Sequence, residues 1–181
     1  MSSTGAPTAT INLHIETTDI QTAPGVSLST SQKTVVGSIL DLFAGRPSLP
    51  KLALWRDDAT FTDPITIATG RDKYAAQWYG LQSAFSQIER LHHSVTDAGN
   101  PILMDLKTRY VIKGINKEQT IQSVVAIHLD EQGKVRKVED KWDGKLPDSS
   151  IANAFRHLNA VTVPKVIKVP KNEEEDAKKG N

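Results

Sequence analysis

Asp140 has the type and setting that suit proton chemistry, and it leads a short set of such side chains in this sequence. The run from Lys134 to Trp142 alternates apolar and polar residues, so Val138, Asp140 and Trp142 share one face of a strand. Val135, Lys137, Glu139 and Lys141 share the other. A carboxyl held among apolar side chains is either a paired structural group or one whose pKa rises until it exchanges protons near neutrality. The first reading pairs Asp140 with Arg136 on the same face or with a helix residue, and the second makes it a general acid–base. His93 shares its face with Leu91 and Val95; it is either a partner acid and hydrogen-bond donor or a satisfied core histidine. Tyr110 lies on the inner face of its strand. Its hydroxyl either stabilises a developing oxyanion or reaches water from the core.

A second set would shape the site. Tyr74 and Trp78 stand four apart on one helix face, and with Trp142 they are pocket walls in one reading and plain core in the other. His128 shares a face with Val124 and Ala126 and points inward, or is exposed beside a hairpin loop. Asp63 stands before Pro64, where an Asp commonly caps a turn. Several chemistries are excluded. His92 and His93 cannot share a metal because adjacent strand side chains point to opposite faces, and no ligand cluster or His-x-x-x-His spacing occurs. There is no glycine-rich phosphate loop, no Gly-x-Ser-x-Gly elbow and no cysteine. No metal is expected, and only cofactor-free chemistry remains.

These residues need a sheet to position them. Gln119–Leu129 and Lys134–Trp142 read as two strands joined by the loop Asp130-Glu131-Gln132-Gly133. Ser86–Thr96 and Ile102–Ile112 read as two more, with the turn Asp97-Ala98-Gly99-Asn100-Pro101 between them, and Ala59–Asp63 as a short one. Val35, Val36, Ile39, Leu40 and Phe43 recur at helical spacing after a Ser-Thr-Ser cap region. A second, short helix starts at Ser48-Leu49-Pro50, carries Leu52 and Trp55 on its buried side and ends at Arg56-Asp57-Asp58. A third begins near Arg71, and a last one follows Pro147, with Ile151, Ala154, Phe155 and Leu158 on one face. Helices, a short strand, a helix, a four-strand meander and a closing helix make an α+β domain with helices on one side of a bent antiparallel sheet. The expected division is a flexible N-terminal tail over residues 1–32, one domain over 33–163, and a flexible charged C-terminal tail over 164–181.

The 181 residues carry a formal net charge of +1 and are 38% hydrophobic and 24% charged, which fits one domain with a real core. Mixed charges with no basic face argue against a nucleic-acid partner. No apolar run approaches the ~18 residues of a spanning helix, and no signal-peptide layout opens the chain, so no membrane partner and a cytoplasmic location are expected.

Three stretches carry a family resemblance: Leu54-Trp55-Arg56-Asp57-Asp58-Ala59-Thr60-Phe61-Thr62-Asp63-Pro64, the helix start Gly70-Arg71-Asp72-Lys73-Tyr74, and Val138-Glu139-Asp140-Lys141-Trp142-Asp143. In order and spacing they resemble the nuclear transport factor 2-like superfamily, and most of all its polyketide-cyclase-like (SnoaL-like) branch, over about residues 35–144. The resemblance implies a cone-shaped sheet wrapped around three N-terminal helices, an apolar pocket at the open end, and often a dimer through the outer sheet face. It also implies an acid–base Asp on a late strand, matched by Asp140, and a pocket-rim Asp, matched by Asp63. It implies no single activity, since the fold hosts isomerases, cyclases, dehydratases, hydrolases and binding modules. Two functions are therefore expected as alternatives: cofactor-free cyclisation or isomerisation of a small apolar carbonyl compound, or a non-catalytic module that dimerises or binds a ligand or peptide. A homodimer is further motivated by Ile121, Val125, Ile127 and Leu129 opposite Val124 and Ala126, a strand apolar on both faces.

Overall fold

Ser29 starts the first helix with a reciprocal cap: its Oγ accepts from Gln32 N, and Gln32 Oε1 accepts from Ser29 N. The helix, α1 (Thr30–Phe43), buries Val35, Val36, Ile39, Leu40 and Phe43. The computed structural model describes residues 12–144, 149–161 and 167–179. After α1 come α2 (Leu49–Leu52), β1 (Trp55–Asp63), β2 (Thr66–Thr69), α3 (Arg71–Ala84), β3 (Phe85–Asp97), β4 (Ile102–Ile112), β5 (Glu118–Leu129), β6 (Val135–Trp142), α4 (Ser149–Val161) and α5 (Glu173–Ala177). The strands form one curved, unclosed sheet in the order β2-β1-β6-β5-β4-β3. Its concave face is covered by the helices, giving the expected α+β cone around α1, α2 and α3.

Two details at β1 differ from the sequence reading. The sheet is antiparallel except where β1 runs parallel to β6. Trp55–Asp58 belongs to β1 and not to the second helix, because Val135 N donates to Leu54 O at 2.9 Å and Trp55 aligns with Val135. Pairing across the sheet overrides the helical spacing of Leu52 and Trp55.

Strand β3 carries three register shifts, between Phe85 and Gln87, Arg90 and His92, and Val95 and Asp97. Such bulges bend a strand and let the sheet curl. The middle one also breaks the alternation: Arg90 pairs with Thr108 while His93 pairs with Leu106. Leu91, read as sharing the face of His93 and Val95, is therefore 46% exposed.

The segment read as a flexible N-terminal tail lies against the domain over residues 12–29. Gln21–Ala23 runs beside the free edge of β3, with Val95 N donating to Gln21 O at 2.9 Å and Ala23 N to Val95 O at 2.8 Å. Thr17 N and Oγ1 both donate to Asp41 Oδ1, and Glu16 N to Asp41 Oδ2. Asp41 is fully buried and ion-paired with the equally buried Lys51 at 3.3 Å. Gly37 permits this close approach, since a Cβ there would stand 2.4 Å from Thr17 O. Residues 167–179 of the C-terminal segment are docked as well, the rest of it lying outside the described residues: Tyr79 Oη donates to Asp176 Oδ1 at 2.5 Å, and Leu49 N to Asp176 Oδ2 at 2.7 Å. Among the described residues no helix is long and apolar enough to cross a membrane.

Candidate functional site

Strand β6 lies in mid-sheet between β1 and β5, and this places Asp140. It aligns with Val125 of β5, so its side chain points with Val125 and Ile127 into the concave side. Across the parallel pair, Thr62 aligns with Glu139. One residue further, Asp63 comes alongside Asp140. The two carboxyls border one cavity together with Tyr110 of β4 and Gln77 of α3. Rings of Phe61, Trp78, Trp142 and Phe155 wall it.

Asp140 is 7% exposed. Trp142 Nε1 donates to its Oδ2 at 2.7 Å, while Oδ1 is buried without a hydrogen-bond partner. Burial raises the carboxyl pKa to about 7, against a smaller opposite pull from the Ser123 hydroxyl and the Trp142 N–H; the Asp63 charge adds to the rise. Ser123 thus favours the ionised form from nearby without a well-formed bond to Oδ1. Arg136, the alternative structural partner, is exposed next to the β5–β6 register shift and lines a surface groove with Arg56 and Asp130. It does not neutralise Asp140.

Burial also raises the Asp63 pKa, although Ile65 N donates to its Oδ1 at 2.8 Å. Asp63 therefore both caps its turn and lines the cavity. The Tyr110 phenol is pushed far above its ordinary range, first by burial and then by the Asp140 charge. It remains a neutral hydroxyl on the border of the cavity that Asp140 also lines.

The other expected site residues divide. Trp78 and Trp142 line the cavity, and Trp78 Nε1 is buried without a partner. Tyr74 does not reach it: the ring packs 4.9 Å from Trp55 and its hydroxyl donates to Arg56 O at 3.0 Å. His93 is not brought to Tyr110 and Asp140. It lies level with Leu106, four residues along β4 from Tyr110, under the N-terminal segment, where Nε2 accepts from Gln21 N at 3.1 Å. Burial, then Arg90, lowers its pKa and keeps the ring neutral. His128 lies on the convex face, with Nε2 2.7 Å from Glu139 Oε2, because Val125 and Ile127 take the inward positions of β5.

Five cavity residues were not expected as site residues: Phe43, Phe61, Leu81, Gln77 and Phe155. Gln77 interrupts the apolar stripe of Tyr74, Trp78 and Leu81, a signal visible in the helical spacing, and its Oε1 is buried without a partner. Phe155 was legible as apolar on an amphipathic helix, but the surface that helix covers was not. It packs 5.2, 5.4 and 5.3 Å from the rings of Phe85, Tyr110 and Trp142. With Phe155 in place the cavity measures about 20 Å³, room for one water.

Comparison with solved structures decides the fold. A steroid Δ-isomerase from Pseudomonas aeruginosa superposes with a TM-score of 0.56 at 13% identity, over 77% of this chain and 96% of its own. An NTF2-like protein of unknown function from an Exiguobacterium species gives 0.51 at 15% identity, over 61% and 99%. The chain has the nuclear transport factor 2-like fold. A candidate polyketide cyclase from a Silicibacter species shares this NTF2-like fold, with a TM-score of 0.53 at 13% identity over 65% of this chain and 92% of its own. No protein-family model matches the sequence, and no curated protein matches it. The NTF2-like cone supplies the frame, and the chemistry must be read from the cavity.

Proposed function

We propose that the cavity is a small-molecule site in which Asp140 acts as general acid–base on an apolar carbonyl compound, without a cofactor. The observation that carries this reading is Asp140 itself: a buried carboxyl with one unpartnered oxygen and a pKa raised to about 7. At that value both protonation states are populated near neutrality, which general acid–base catalysis needs. In the proposed step Asp140 takes a proton from the carbon next to the carbonyl, and the electron pair moves onto the carbonyl oxygen. Tyr110 donates a hydrogen bond to that oxygen. Asp140 then returns the proton at another carbon, giving an isomer; in a substrate with a second carbonyl the enolate carbon instead attacks that carbonyl carbon, its C=O π pair moves to oxygen, and that oxygen takes the proton from Asp140, closing a ring. His93 has no part in this step, being held elsewhere on the sheet. The test is conversion of a small β,γ-unsaturated ketone to its conjugated isomer. Turnover lost in Asp140→Asn and reduced about 10²-fold or more in Tyr110→Phe supports the reading; equal rates in all three proteins sink it.

The small cavity favours a second reading, a non-catalytic module of the same fold, since ligand pockets commonly measure roughly 300–1,000 Å³. A homodimer through the convex face belongs with it. That face offers Val124, 39% exposed, among the charges of Lys107, Glu139 and Lys141. Sedimentation showing monomer alone at micromolar concentration removes the dimer.

A further inference from the structure

We propose that Phe155 is an internal occupant of the ligand site: α4 holds its ring where one flat six-membered ring of a ligand sits, and ligand binding displaces it. This rests on the small-molecule reading above and narrows its substrate class to a neutral, single-ring compound bearing a hydroxyl or carbonyl oxygen.

Three observations converge. First, Phe85 of β3, Tyr110 of β4 and Trp142 of β6 surround the Phe155 ring at 5.2–5.4 Å between centroids, and Phe155 borders the same cavity as Asp140. These three rings belong to the sheet, whereas the one they enclose belongs to a helix added after the last strand. Its departure leaves the sheet and α1–α3 in place. Second, among its described side chains α4 buries Ile151, Ala152 and Phe155, and in its first turn Ser150 Oγ accepts from the exposed Lys117 Nζ of the β4–β5 connection at 3.3 Å. Third, Asp140 Oδ1 and Gln77 Oε1 are buried acceptors at the cavity without partners. Buried polar groups are nearly always satisfied, and a phenolic or enolic O–H entering beside the vacated ring position satisfies one of them. The remaining space admits one water, so a ring enters only by replacing the Phe155 ring; a fused polycycle does not fit in its place. Asp63 and Asp140 select against an anionic ring.

The experiment uses phenol as the probe, with binding followed by NMR and amide hydrogen exchange read along the whole chain. The expected result is saturable binding to the wild type, with α4 amides exchanging at least about tenfold faster in the bound state and β6 amides more slowly. Phe155→Ala then binds phenol at least about tenfold more tightly, and its α4 exchange no longer responds to phenol. Should that variant not fold, Phe155→Leu and the wild-type exchange pattern carry the test. Phenol bound to the wild type with α4 protection unchanged or increased overturns the proposal. So does a wild type that takes up no phenol at millimolar concentration while Phe155→Ala does, since the ring is then permanent core. The two readings fail separately. If Asp140→Asn shows the same phenol affinity and α4 response as the wild type, and the ketone assay shows no turnover, displacement stands and the acid–base role falls.

Discussion

Trp142 Nε1 donates to Asp140 Oδ2 at 2.7 Å, a bond between two residues that stand on the same face of one strand, two positions apart. It fixes the carboxyl against the cavity wall, while Oδ1 is buried without a hydrogen-bond partner. Because a hydrogen bond to a carboxylate favours the charged form, removing the donor in Trp142→Phe should move the Asp140 pKa upward from about 7. Carboxyl ¹³C titration of the two proteins reads the shift; an unchanged or lower midpoint contradicts it.

Ionising Asp140 should cost stability. Its pKa is raised from 3.8 to about 7 on folding, so the folded state binds the proton more tightly than the unfolded one. Stability is then greatest below about pH 4 for this group and is lost as pH rises through about 7. Roughly three pKa units correspond to about 4 kcal/mol at most. Asp140→Asn should therefore exceed the wild type in stability at pH 8.5 by roughly 2–4 kcal/mol and by much less at pH 5. Urea unfolding at both pH values measures the difference, and an equal difference at both refutes it.

For His93 the sign is opposite. Its folded pKa is lowered by burial and by Arg90, so its contribution is present above pH ~6.5 and declines as pH falls below that value. His93→Gln should flatten the acid side of the stability profile between pH 7 and 5 while leaving any turnover of the ketone substrate within about twofold. A loss of activity comparable to that of Asp140→Asn would return His93 to the site.

The buried Asp41–Lys51 pair and Gly37 together hold the N-terminal segment. Breaking a buried pair leaves one charge uncompensated and typically costs ~3–5 kcal/mol, so Lys51→Met should lower the urea midpoint sharply. Gly37→Ala should release the segment by a different route, because its Cβ would meet Thr17 O at 2.4 Å. Faster proteolytic cleavage within residues 12–29 of the alanine variant is the expected sign; unaltered cleavage would mean that α1 shifts to accommodate the methyl.

Asp140 could be placed from sequence because β6 keeps strict alternation from Val138 to Trp142, and Tyr110 because β4 pairs without a shift along β5. His93 does share the buried face of Val95, and the bulge takes only Leu91 off it; what spacing could not give is the position of His93 along the sheet, level with Leu106 and away from Tyr110. His128 failed differently: β5 is apolar on both faces in its middle, so alternation there names no inner side. Trp55 was drawn from helix to strand by a partner 80 residues away, a pairing that local spacing does not encode. The docked terminal segments were read as tails because Ser, Thr and Pro dominate one and charges the other. What anchors them is a few directed bonds to Asp41, Val95 and Tyr79, and composition carries no trace of these.

The strip of chain at Gln21–Ala23 has a practical consequence for any shortened form of the protein. A chain begun at Lys33, where composition suggests that the domain starts, would lose the backbone partner of Val95 and leave the edge strand β3 unpaired there as well. Bare edges recruit strands from other molecules. Such a fragment would lose Leu28 from the core as well, together with Ile20 and Val26 that pack on it, and would precipitate or assemble edge to edge, so the useful boundary for expression lies before Glu16.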